Sequence, residues 1–217
     1  MSATETNDVL ARVKPSVRAM GAYTLRPVEP RIKLNQNENP WDVPDELKAR
    51  IAALLADRPW NRYPPFVASN FIAAVHEATG WPQDGILVAN GSNELIQSVL
   101  AVVVGPGTSV VIPEPTFTLY RLMTEVNAGT VVSVPLDAEL RFDVDALVRA
   151  ARESDAAVVV LCTPNNPTGA ALTADEIRRV HDETEALVLV DQAYVEFGGD
   201  DAIPLLAEHP RLVILRT

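Results

Sequence analysis

The chain has 217 residues, 47% of them hydrophobic, and a formal net charge of −11. That is enough apolar material for a sizeable core, and the charge argues against nucleic acid or an anionic membrane surface as a partner. Cys162 is the only cysteine, which excludes a disulfide framework and fits a reducing compartment, the cytoplasm. The opening "MSATETNDVLARVK" has no apolar signal-peptide core, and no apolar run is long enough to span a bilayer. His76, His181 and His209 are scattered without ligand spacing, so no metal site is read from them.

Residues 1–34, with Pro15, Pro27 and Pro30 and little periodicity, read as an N-terminal arm. "PDELKARIAALLA" (44–56) reads as a helix started by Pro44 and Asp45, and "RPWNRYPPF" (58–66) as a proline-broken loop. A second helix over 67–80 closes at Gly80. A rhythm then begins. Strands are expected at 85–90, 108–113, 130–135, 156–164, 186–191 and 211–216, with helices at 92–104, 116–128, 143–153 and 173–184. Strands that are apolar on both faces and alternate with helices predict an α/β domain, a three-layer α/β/α arrangement around a mostly parallel sheet.

Ligands of such sheets bind where strands end at their carboxyl side. After the first expected strand comes "ANGSNELI" (89–96). Gly91 permits a tight turn, and Ser92 or Asn93 can cap the next helix, whose N-terminus suits a phosphate. Taken alone the stretch reads first as a plain strand–turn–helix cap. "PEPTFTLY" (113–120) offers Phe117 and Tyr120 at helical spacing, as core or as an aromatic face for a flat ring. "CTPNNPTGAALT" (162–173) is a rigid turn with exposed amides. "VDQAYVEF" (190–197) ends an apolar strand on Asp191, a carboxylate that is costly to bury unless paired, with Tyr194 three residues later. A phosphate site, an aromatic face, an amide, a phenol and a carboxylate seeking a cation together describe a planar phosphorylated ligand with a protonatable ring nitrogen. Pyridoxal 5′-phosphate has these properties.

With these residues in place, the sequence from about Tyr23 onward resembles the fold-type I pyridoxal-phosphate aminotransferases. "NNPTG" (165–169) paired with "DQAY" (191–194) is specific to that superfamily, and "LNQNENP" (34–40), "RYP" (62–64) and "NGSNELI" (90–96) are similar to its histidinol-phosphate branch. The usual form of the last motif is D-E-A-Y, and Gln192 stands here for its glutamate. The resemblance implies that Asp191 pairs with the ring nitrogen, that Asn166 and Tyr194 bond the phenolic oxygen and that Phe117 stacks on the ring. It assigns Gly91, Ser92 and Asn93 to the phosphate, and Tyr63 to the cofactor phosphate of a neighbouring subunit, hence a homodimer. Tyr23, Asn37 and Asn39 would line the substrate side.

The implied reaction moves an amino group between L-histidinol phosphate and 2-oxoglutarate, giving glutamate, in histidine biosynthesis. Within the superfamily the alternatives are an aromatic or broad-specificity aminotransferase and a threonine-phosphate decarboxylase. From another class, the alternative is a non-catalytic module that binds a phosphorylated ligand or a partner subunit. The only lysines are Lys14, Lys33 and Lys48. In the family the Schiff-base lysine follows a strand like "VILRT" at once, so residues 35–217 are expected to be a cofactor-binding domain cut short before that lysine. The C-terminal small domain is expected to be absent and the chain by itself inactive, with no catalytic residue of its own.

Overall fold

The computed structural model describes residues 10–21, 31–33 and 35–217. By internal contacts the chain divides into two compact units, residues 21–68 and residues 1–20 with 69–217. The expected helix 44–56 forms in the smaller unit as α2 (Asp45–Ala56), with Asp45 and Glu46 in its first turn where the helix dipole favours negative charge. None of its residues is buried, and every described residue from 21 to 68 is exposed.

The larger unit holds α1 (Pro15–Arg18), α3 (Ser69–Thr79), α4 (Ser92–Val103), β1 (Ser109–Glu114), α5 (Leu119–Val126), β2 (Thr130–Pro135), α6 (Val144–Glu153), β3 (Val158–Cys162), α7 (Ala174–Asp182), β4 (Leu187–Asp191) and β5 (Leu212–Leu215). The strands form one sheet in the order β2-β1-β3-β4-β5, and all paired neighbours run parallel.

Side chains alternate across the strands. Val111, Val159, Leu161, Val188 and Val190 pack on one face with Leu147 and Val148 of α6 and Ile177 and Val180 of α7. Val110, Ile112, Val158, Val160 and Leu189 pack on the other with Ile96 and Leu100 of α4 and Tyr120 of α5. These helices and the sheet are the expected three α/β/α layers.

One expected element does not form. Residues 86–89 follow a short 3-10 turn (Gln83–Gly85) without entering the sheet. Ile86 is extended, with φ −112° and ψ 124°, and Leu87 is 84% exposed. A strand is defined by its ladder of backbone bonds, and among the described residues this apolar run has no ladder partner. Helix 116–128 also starts late, at Leu119, because Pro115 and Thr116 are bonded to Asn165 in the loop after β3.

Candidate active site

Strand order reverses between β1 and β3. The connection after β1 carries α5, which packs on one face, and the connection after β3 leads to α7 on the other. Loops that part to opposite faces leave a crevice at the carboxyl ends of the two strands. Asn165 stitches that crevice. Its Oδ1 accepts from Thr116 Oγ1 at 2.6 Å, and its Nδ2 donates to Pro115 O and to Thr168 Oγ1, each at 2.9 Å. Within the turn, Gly169 N donates to Asn165 O at 2.7 Å and Asn165 N to Ala170 O at 2.7 Å. Buried Asn165 thus builds the turn. Asn166 beside it is only half-buried, and its side-chain amide has no hydrogen-bond partner among the described residues.

Asp191 ends β4 next to the crevice, in register with Cys162 of β3. Alternation decides where it points: Leu189, two residues earlier, packs with α4 and α5, so Asp191 faces the same side. There Tyr120 Oη donates to Asp191 Oδ2 at 2.7 Å, and Ala193 N donates to Oδ1 at 3.0 Å. Asp191 is 3% exposed and has no cationic side chain as partner among the described residues. Burial pushes its pKa up, against the opposing pull of the Tyr120 hydroxyl and the Ala193 amide. Burial and the nearby carboxylate likewise push the Tyr120 phenol up, so Tyr120 remains a donor.

Phe117 meets Tyr120 edge-on, with ring centroids 5.6 Å apart, and is itself half-buried. Phe117, Tyr120 and Asp191 therefore form one connected row. Tyr194 follows in the turn after β4, half-buried, just before a short 3-10 turn, Val195–Phe197.

At α4 the expected hydroxyl cap is absent. Gly91 is the N-cap residue, with φ 82° and ψ 167°, and no side chain caps the helix. Ser92 is already the first helical residue, which leaves the amides of its first turn open. Asn90 N donates instead to Glu94 Oε2 at 2.6 Å. The left-handed φ explains why glycine stands at position 91.

Tyr63, Asn37 and Asn39 belong to the smaller unit. Tyr63 is 91% exposed, Asn37 has a left-handed φ of 53°, and Asn39 Oδ1 accepts from Trp41 N at 3.0 Å. Tyr23 lies outside the described residues. In the sequence Asn165 and Thr116 carry no signal of this role, and Tyr120 suits core or ring face alike. Only the pairing of β1 with β3 discloses what they do.

Gln192 also acquires a reason. It is 1% exposed, donates from Nε2 to Asp200 O at 2.7 Å and accepts from Ala202 N at 3.2 Å. A carboxylate could make only the second bond.

The profile of the family described as "Aminotransferase class I and II" matches residues 29–217. Among curated proteins, the histidinol-phosphate aminotransferase of Chlorobium phaeovibrioides is 43% identical over 212 residues, 97% of this chain and 59% of that protein. The protein of the same name from Chlorobaculum tepidum is 43% identical over 190 residues, 87% of this chain and 55% of its own. This chain thus spans a little under two thirds of the length of the curated relatives it matches. Among solved structures, the histidinol-phosphate aminotransferase of Sinorhizobium meliloti in complex with pyridoxal-5′-phosphate superposes with a TM-score of 0.82 at 21% identity, over 95% of this chain and 58% of that one. A Thermus thermophilus aspartate aminotransferase mutant superposes at 0.75 with 20% identity, over 94% of this chain and 57% of that one. At these identities the two structures speak for the fold.

Proposed function

The chain belongs to the class I and II aminotransferase family, and from that premise we propose that the crevice at β1, β3 and β4 binds pyridoxal 5′-phosphate. The observation that carries this reading is Asp191, a buried carboxylate at a strand end that is held by a phenol and an amide and has no cation among the described residues. A protonated ring nitrogen supplies the missing charge. The uncapped first turn of α4 at Gly91–Asn93 suits a phosphate, the half-buried amide of Asn166 and the phenol of Tyr194 suit a ring oxygen, and Phe117 offers an apolar surface to the ring. When bound, the cofactor supplies an electron sink for bonds at the substrate's α-carbon. The chain's own residues bind and orient. Asp191 keeps the ring nitrogen protonated, Tyr120 fixes the carboxylate, and Asn165 holds the turn that presents Asn166.

For the whole protein we propose transamination of L-histidinol phosphate with 2-oxoglutarate in histidine biosynthesis, by a cytoplasmic homodimer. Tyr63 would reach the cofactor phosphate of the neighbouring subunit, and Tyr23, Asn37 and Asn39 would line the substrate side. The names of relatives about 40% identical across nearly the whole chain support this substrate. On this reading residues 1–34 are an arm and 35–217 a part of the cofactor domain. Lys33 and Lys48 sit in surface ion pairs with Glu38 and Asp42. Among the described residues no helix is long and apolar enough to cross a membrane.

Two measurements test the proposal. The 217-residue chain should bind pyridoxal phosphate reversibly, seen as a shift in cofactor absorbance, and Asp191→Ala should abolish the shift. In the full-length enzyme kcat/KM should favour histidinol phosphate over phenylalanine. The reverse preference would move the reading to an aromatic aminotransferase, and release of carbon dioxide from threonine phosphate would move it to a decarboxylase.

A further inference from the structure

At the amino end of the sheet, opposite the edge that carries Asp191, three side chains converge. His181 and Asp182 close α7, and His209 lies in the turn that enters β5. His181 Nδ1 is 2.8 Å from Asp182 Oδ1, and His209 Nε2 is 3.6 Å from the same oxygen. The two imidazole rings meet edge-on at 4.8 Å. All three potential ligand atoms lie within 4.8 Å of one another. Both histidine side chains are more than nine-tenths buried, at 6% and 7% exposure, while Asp182 opens to solvent at 53%. Of the chain's three histidines, two are spent on this corner.

One hydrogen bond orients His209. Its Nδ1 lies 2.7 Å from Leu205 O, a carbonyl that only accepts, so Nδ1 is the donor there and Nε2 is the ring nitrogen turned toward Asp182. At 3.6 Å from Asp182 Oδ1 that nitrogen is too far for a hydrogen bond, which leaves it open to a ligand. A ring that gives its N–H to a backbone carbonyl and offers its other nitrogen is how metal-bound histidines are oriented. His181 differs. Its Nε2 accepts from Arg211 N at 3.4 Å, and its Nδ1–H points at Asp182. Ligation through Nδ1 transfers that ring's proton to Nε2 and opens the long Arg211 contact, so no proton is gained or lost.

We propose that His181, Asp182 and His209 form a site for a divalent transition metal of the class that takes imidazole and carboxylate ligands, zinc foremost. Tetrahedral zinc with bonds of about 2.0–2.1 Å spaces its ligand atoms about 3.4 Å apart. The observed 2.8 and 3.6 Å lie on either side of that separation, and the third pair, within 4.8 Å, has to close to it by a rotation of the imidazole rings as the ion binds. Water completes the shell on the open side of Asp182. The ion would tie the end of α7 to the turn before β5, a structural clamp on the opposite edge from the proposed cofactor.

The test is titration of the metal-free 217-residue chain with Co²⁺, followed by displacement with Zn²⁺. The expected result is one equivalent of cobalt with the intense visible absorption of a tetrahedral site, bleached stoichiometrically by zinc. His209→Gln and Asp182→Asn should each weaken binding at least about tenfold, and His76→Gln, whose ring bonds Trp81 O elsewhere, should leave it unchanged. Failure of the unsubstituted chain to develop the cobalt spectrum overturns the site without reliance on any variant. Unaltered binding in both His209→Gln and Asp182→Asn overturns it equally.

Discussion

Asp191 is where structure and function pull apart. Burial raises its folded-state pKa above the ordinary 3.8, so the folded chain holds that proton more tightly than the unfolded chain does. The resulting contribution to stability is complete below the unfolded value and is lost as pH rises through the folded one. At neutral pH, without cofactor, the ionised group is a net cost. Asp191→Asn should therefore raise the urea midpoint of the cofactor-free chain at pH 7, with the difference closing as the solution is made acid. On the proposed function, the same change in the whole protein should cut transamination at least about a hundredfold, because the charge proposed to face the ring would be gone. A lower midpoint at pH 7 would show that Asp191 is an ordinary structural acid. Tyr120→Phe has the opposite effect on stability. It removes the hydroxyl 2.7 Å from Asp191 Oδ2, leaves a buried carboxylate oxygen short of a donor and should cost about 1–3 kcal/mol in urea unfolding at pH 7.

Two connections between elements can be tested independently of catalysis. Gln192 points away from the crevice and ties the end of β4 to the 200–202 segment through both ends of its amide. Gln192→Glu restores the usual family residue but removes the donor to Asp200 O and buries a charge. A destabilisation of about 1–3 kcal/mol is expected, larger at neutral than at acid pH because a buried carboxyl is better tolerated protonated. Equal stability at pH 7 would mean the segment rearranges freely. At α7, Thr173 and Glu176 form a reciprocal capping box: Thr173 Oγ1 accepts from Glu176 N at 3.2 Å, and Glu176 Oε2 accepts from Thr173 N at 2.7 Å. Thr173→Ala should cost about 1 kcal/mol, read by thermal or urea unfolding.

At the scale of the molecule, described apolar side chains of the smaller unit are exposed. Leu54 is 67% exposed, Trp60 84% and Phe66 101%. Apolar surface on this scale promotes association. The 217-residue chain should sediment as a concentration-dependent mixture of monomer and larger species, and Leu54→Glu combined with Phe66→Glu should shift it toward monomer. Monomeric behaviour of the unsubstituted chain at all concentrations would show that this surface is inert.

The alternation of apolar strands with helices was legible because period 2 and period 3.6 are local properties of the chain, as were the turn at "NNPTG" and the acid that ends "ALVLV". Residues 86–88 misled for the same reason. Their composition suits a strand, but a strand needs a partner, and pairing is not encoded in the run itself. What only the tertiary structure decided are the long-range contacts. Tyr120 reaches Asp191 across 71 residues of chain, and Asn165 reaches Pro115 across 50. His181 and His209 meet only because α7 ends, and β5 begins, at the same edge of a parallel sheet. Such meetings follow from strand order and register, which depend on how the whole chain packs.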